Sequence, residues 1–114
     1  MEYNHPKSGA SWEGYAIEEV LKVAVPEETY YWATHNGAGI DLLLLKNGKR
    51  IGVECKRVDG PRVTPSMRTA LNELELDWIY VFYPGIQSYP MAERIQAVPI
   101  SELGKNNAGN LFTN

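Results

Sequence analysis

The sequence predicts an α+β domain, α/β in its layering, in which helices flank a mixed central sheet in the order α-β-β-β-α-β. Three observations predict it. A helix-period segment stops at a proline, three β-rich runs are divided by turn residues, and a capped second helix leads into another apolar strand. The length of 114 residues suits one domain with one core.

The first helix is expected over residues 9–25, ended by Pro26. At about 100° per residue, Trp12, Ala16, Ile17, Val20, Val23 and Ala24 share one face, with Glu18, Glu19 and Lys22 opposite. Glu13 breaks this rule, because it points into the apolar stripe. Strands are expected over 29–35, 40–46 and 50–57, rich in Tyr, Trp, Thr, Leu, Ile and Val, with Asn36-Gly37 and Asn47-Gly48 as turns of an antiparallel meander. Thr64-Pro65 reads as an N-cap followed by proline in the first turn, opening a helix through Met67, Ala70, Leu71 and Leu74. Residues 78–83 form the next strand, closed by Pro84-Gly85, and 95–100 can add a short last one. The polar stretch 104–114 is expected to be a mobile tail, leaving 1–103 as the domain.

The third strand alternates Ile51, Val53 and Cys55 with Gly52, Glu54 and Lys56. A two-residue type I′ turn at Asn47-Gly48 pairs Lys46 with Lys49, and counting outward pairs Leu42 with Val53 and Asp41 with Glu54. Two carboxylates would then stand roughly 5 Å apart between their Cβ atoms, a destabilising arrangement unless a positive charge lies between them. Lys56 could supply part of it. A divalent cation would satisfy both acids better. The competing reading is a structural charge cluster in which Lys56 neutralises the acids.

Hydrophobic residues make up 44% of the chain and charged residues 22%, which is too apolar for disorder. No apolar run approaches the roughly 20 residues of a membrane span, and no signal-peptide core is visible, so a cytoplasmic protein without a membrane partner is expected. One cysteine excludes an internal disulfide, and with only two histidines it cannot complete a structural zinc site. The net charge of −3 is unevenly spread. Residues 46–68 hold seven basic and two acidic side chains, leaving four basic and twelve acidic elsewhere. Such a local field can steer a polyanion, although a solvated charged face is the plainer explanation.

Asp41, twelve further residues and then Glu54-Cys55-Lys56 resemble the signature of the PD-(D/E)XK phosphodiesterase superfamily, with the restriction-endonuclease-like fold. The αβββαβ order is similar to that core, and Glu13 stands where many members carry a first-helix glutamate. Gly39-Ile40-Asp41 lacks the usual proline before the aspartate. Closer in wording, His5-Pro6-Lys7, residues 9–14 (Gly-Ala-Ser-Trp-Glu-Gly), Gly39-Ile40-Asp41-Leu42-Leu43 and Thr64-Pro65-Ser66-Met67-Arg68 resemble the C-terminal domain of unknown function of prokaryotic AAA-type ATP-binding proteins. No phosphate-binding loop of the Gly-x4-Gly-Lys-Ser/Thr kind occurs here.

The resemblance implies metal-dependent phosphodiester hydrolysis of nucleic acid, DNA ahead of RNA. Asp41, Glu54, Lys56 and Glu13 would be catalytic, and Asp41, Glu54 and the Cys55 backbone carbonyl would hold Mg2+ or Mn2+. Arg57, Arg62, Arg68, Lys46, Lys49 and Arg50 would contact the nucleic acid. An ATPase module in the same full-length chain and a homodimer are the implied protein partners. The alternatives are a catalytically silent module that binds nucleic acid or docks on an ATPase, and a purely structural or oligomerising domain.

Overall fold

A computed structural model of the chain describes residues 8–33 and 39–113. Helix α1 spans Ser8–Ala24 and ends where Val25 turns to a positive φ of 43°, ahead of Pro26. Strands β1 (Glu28–Ala33), β2 (Gly39–Lys46) and β3 (Lys49–Cys55) follow, then α2 (Pro65–Glu73), β4 (Trp78–Tyr83), β5 (Tyr89–Ala92) and β6 (Ile95–Pro99). Thr64 caps α2 as expected, its hydroxyl accepting from the Met67 N–H at 3.2 Å. The Asn36-Gly37 turn and His5-Pro6-Lys7 lie outside the described residues.

The strands form one six-stranded sheet in the order β1-β2-β3-β4-β6-β5. Pairing is antiparallel from β1 to β3, parallel between β3, β4 and β6, and antiparallel again at β5. The parallel step needs a crossover, and α2 supplies it. The hairpin register counts out as expected from Lys46–Lys49 to Leu42–Val53, with Asn47 at φ 54° and Gly48 at φ 80° making the tight turn. Strand β5 was not expected. Its four residues include Pro90, which an edge strand tolerates but whose missing N–H hides the strand from pattern reading.

Two cores result, one on each face of the sheet. Ala16, Val20 and Ala24 of α1 pack on Leu42, Leu44, Ile51, Val53 and Cys55, while Met67, Ala70 and Leu71 of α2 pack on Leu43, Ile79 and Val81. Gly52 belongs to the α2 face. A Cβ there would stand 2.8 Å from a Leu76 methyl and 3.0 Å from Ile79, so its bare backbone lets the connection after α2 lie close against β3.

The polar tail differs from its expectation. Two 3-10 turns, Ile100–Gly104 and Ala108–Phe112, fold residues beyond 103 back beside α1. Phe112 is fully buried against Tyr80 and Phe82, with ring centroids 5.8 and 6.3 Å away, and the Tyr80 hydroxyl donates to the Leu111 carbonyl at 2.6 Å. A few apolar residues in a polar segment suffice, because one aromatic side chain in a prepared gap contributes more than the rest of the segment exposes. Phe112→Ala is expected to destabilise the domain by about 3–5 kcal/mol, read as a lower denaturation midpoint at unchanged slope.

Candidate functional site

Because β3 and β4 run parallel, their carboxyl ends share one end of the sheet, and the acids singled out in the sequence lie there. Asp41 lies near the start of β2, Glu54 near the end of β3, and Lys56 just after it. The Cα ladder between β2 and β3 stops at Leu42–Val53, one rung short of the expected Asp41–Glu54 pair. The irregularity extends to the other side of β2. Opposite β1 the register shifts between Tyr30 and Trp32, which face Leu43 and Ile40, so β2 carries an extra residue across Asp41 and Leu42.

The bulge does not part the acids. The Asp41 carboxylate accepts the Cys55 N–H at 2.7 Å through Oδ2, replacing the lost ladder bond with a side chain. Lys56 N–H donates to the Phe82 carbonyl at 2.9 Å, so Cys55, one residue back, turns its own N–H and carbonyl toward β2 and Asp41. That arrangement offers three oxygen types to a hard cation: the Asp41 oxygen not facing Cys55, the Glu54 carboxyl and the Cys55 carbonyl. The Cys55 thiol points to the α1 core, where burial first and the neighbouring acids second push its pKa up and keep it a neutral thiol.

Glu54 is the buried charged residue of the described chain, 6% exposed. Its pKa is pushed up to about 8, first by burial, then by the Asp41 charge; Lys56 opposes the shift, and a hydrogen bond between the two acids favours the protonated form. Glu13, half-buried on α1, is likewise raised by burial and then by Asp41, with Lys56 pulling the other way. Glu13, Asp41, Glu54 and Lys56 therefore form one electrostatic group. Among the described residues no cluster of three or more His, Cys, Asp or Glu side chains is arranged to hold a metal, so the carboxylate pair is the unit and Glu13 stands outside it.

The expected cationic tract divides in two. Lys46, Lys49 and Arg50 sit at the hairpin, five residues or roughly 17 Å along β3 from Glu54. There Lys46 Nζ donates to the Val25 carbonyl at 2.9 Å beyond α1, and Arg50 Nε donates to the Leu74 carbonyl at 2.7 Å, where α2 ends. Both cations satisfy carbonyls at the negative ends of helices, a structural task. Arg57, Arg62 and Arg68 are exposed on the loop after β3 and on α2, at the acid end. Sequence reading missed Tyr89, which only the placement of β5 brings to this side of the sheet.

Residues 8–103 match the family described as a domain of unknown function, DUF4143. The chain belongs to that family. It is similar to an uncharacterised protein of Mycobacterium bovis and another of Mycobacterium tuberculosis, each 37% identical over 99 residues. The match covers 87% of this chain but 22% of each relative, so the chain spans about a fifth of their length. No solved structure matches. Within this DUF4143 domain no described helix is long and apolar enough to cross a membrane.

The Glu54 shift sets a pH dependence. Its folded value lies above that of a free glutamate near 4.5, so between pH 4.5 and about 8 the native state keeps a proton that the unfolded chain releases. This contribution is full below pH 4.5 and is lost as pH rises toward 8. In chelator-treated buffer, Glu54→Gln is expected to flatten that decline and stabilise the domain at pH 8 by about 2–4 kcal/mol, measured by urea denaturation across pH.

Proposed function

We propose that this domain is a nuclease-like module of the restriction-endonuclease-like kind that hydrolyses phosphodiester bonds of nucleic acid with Mg2+ or Mn2+. The observation that carries the reading is the contact between Asp41 and the buried Glu54 at the carboxyl end of β3. The αβββαβ order and the antiparallel β1-β2-β3 sheet continued in parallel by β4 agree with it. A buried acid whose ionisation a second carboxylate opposes fits a hard divalent cation, which would let it ionise. When bound, such an ion supplies Lewis-acid polarisation of a phosphate oxygen and a more acidic water.

The remaining work belongs to the chain. Cys55 N–H orients the Asp41 carboxylate. Lys56, whose charge acts on Glu54 and Glu13, offers an ammonium group to the phosphate as negative charge builds on it. Glu13 can hold a water or a proton across from Asp41. Arg57, Arg62 and Arg68 attract the polyanion to this edge, and salt weakens their contacts steeply. An ATPase module in the longer protein and a homodimer complete the proposal.

The absence of a third acidic ligand among the described residues favours a second reading, a silent module that binds nucleic acid or docks on an ATPase without cutting. Calorimetric titration with Mn2+ and cleavage assays on labelled oligonucleotides separate the two. Asp41→Ala and Glu54→Ala are each expected to abolish cleavage and Mn2+ binding while leaving oligonucleotide affinity within about threefold. Cleavage by the double alanine variant would overturn the catalytic assignment, and a wild type that binds oligonucleotide but neither Mn2+ nor cuts would establish the silent module.

A further inference from the structure

The acid pair has a second feature on its own side of the sheet. Glu54 is level with Val81, Val81 with Ala97, and Ala97 with Tyr89, so the four form one row across β3, β4, β6 and β5. Residues in such a row share a face, and Val81 identifies it as the α2 face. Tyr89 lies three strand spacings from Glu54, roughly 14 Å. There it lines an open groove of about 460 Å³ with Arg62, Val63, Arg68, Pro90 and Met91. That volume lies within the range of about 300–1,000 Å³ typical of small-ligand sites.

The groove has two chemistries. Val63 and Met91 give it an apolar floor, and Arg62 and Arg68 give it two guanidinium groups. Arg50 and Arg94 spend N–H groups on the carbonyls of Leu74 and Leu76, whereas Arg62 and Arg68 have no such partner among the described residues. Tyr89 is braced from two sides. Its hydroxyl donates to the Pro61 carbonyl at 3.4 Å, and its ring meets Tyr83 edge-on at 6.0 Å and 84°. A ring held in this way loses little freedom when a planar group stacks on it. Between the groove and the acids runs the β3–α2 loop, and residues 56–72 carry four cations, Lys56, Arg57, Arg62 and Arg68, against the single acid Asp59.

We propose that the Tyr89 groove takes an unpaired nucleobase with its phosphates on Arg62 and Arg68, making single-stranded nucleic acid the substrate class of the acid site. This rests on the nuclease reading for the chemistry and on the groove for the strandedness. A base inside a duplex is stacked and paired and must be extruded before it can enter such a groove, whereas a single strand presents it at once.

Fluorescence anisotropy in EDTA, with DNA and RNA oligonucleotides as single strands and as duplexes, tests the inference. Single strands are expected to bind at least about tenfold tighter than duplexes, with Tyr89→Ala reducing affinity about tenfold and Tyr89→Phe leaving it within twofold. An abasic site in the oligonucleotide should cost the wild type a similar factor and Tyr89→Ala nothing further. Arg62→Gln and Arg68→Gln should each lower the salt slope by about 0.7. Should Tyr89→Ala unfold, Arg68→Glu at an exposed groove position is expected to cause the same loss. Equal affinity for duplexes, or folded variants that bind single strands like the wild type, would overturn the inference. Single-strand binding lost in Tyr89→Ala, in a protein that never cuts, would overturn only the nuclease reading; duplex cleavage indifferent to Tyr89→Ala would overturn only the groove.

Discussion

Glu54 is held out of water on a strand paired on both sides, and its close charged neighbours are a second carboxylate and a lysine. A group in that position cannot ionise cheaply, so the local structure is organised around answering it. The Cys55 N–H fixes Asp41, Lys56 lies at the strand's exit, and Glu13 approaches from α1. None of these contacts is needed to close the sheet, which is already joined by its ladders and its two apolar faces. Their cost is borne by the burial of 25 apolar side chains among the described residues, at about 25 cal/mol per Å².

The two ends of the sheet have separate tasks. Both helices finish near the β2–β3 hairpin, and there Lys46 and Arg50 donate to the carbonyls that follow α1 and α2. Their charges answer the negative ends of helix dipoles. At the other end lie the acid pair, the exposed arginines of the β3–α2 loop and the start of α2 capped by Thr64. A basic run that is continuous in sequence is thus split between the end where the helices finish and the end that holds the acid pair. Ligands of sheets with parallel strands commonly gather outside the strands' carboxyl ends, and the distribution of charge here has the same polarity.

Local rules carried far. The hairpin register followed from two turn residues, because a two-residue loop leaves no freedom in counting. The cap of α2, the buried stripe of α1 and β4 followed from spacing and side-chain chemistry. The Asp41–Glu54 pairing was legible as proximity but not as geometry. The ladder stops one rung short, β2 carries an extra residue opposite β1, and the Asp41 carboxylate takes the Cys55 N–H instead. Phe112 illustrates the opposite error: polar neighbours concealed a residue whose burial depends on a gap between α1 and the sheet.

By itself the sequence determined α1, α2 and strands β1 to β4 and β6, the faces of α1 and β3, and the partner of β3 in the hairpin. These depend on neighbours within a few residues, where backbone geometry leaves few choices. Only the tertiary structure decided the order β3-β4-β6-β5, the depth at which Glu54 is buried and the alignment of Tyr89 with the acid pair. Those are set by contacts between segments far apart in the chain, whose register is a balance of packing over the whole sheet and not a property of any one segment.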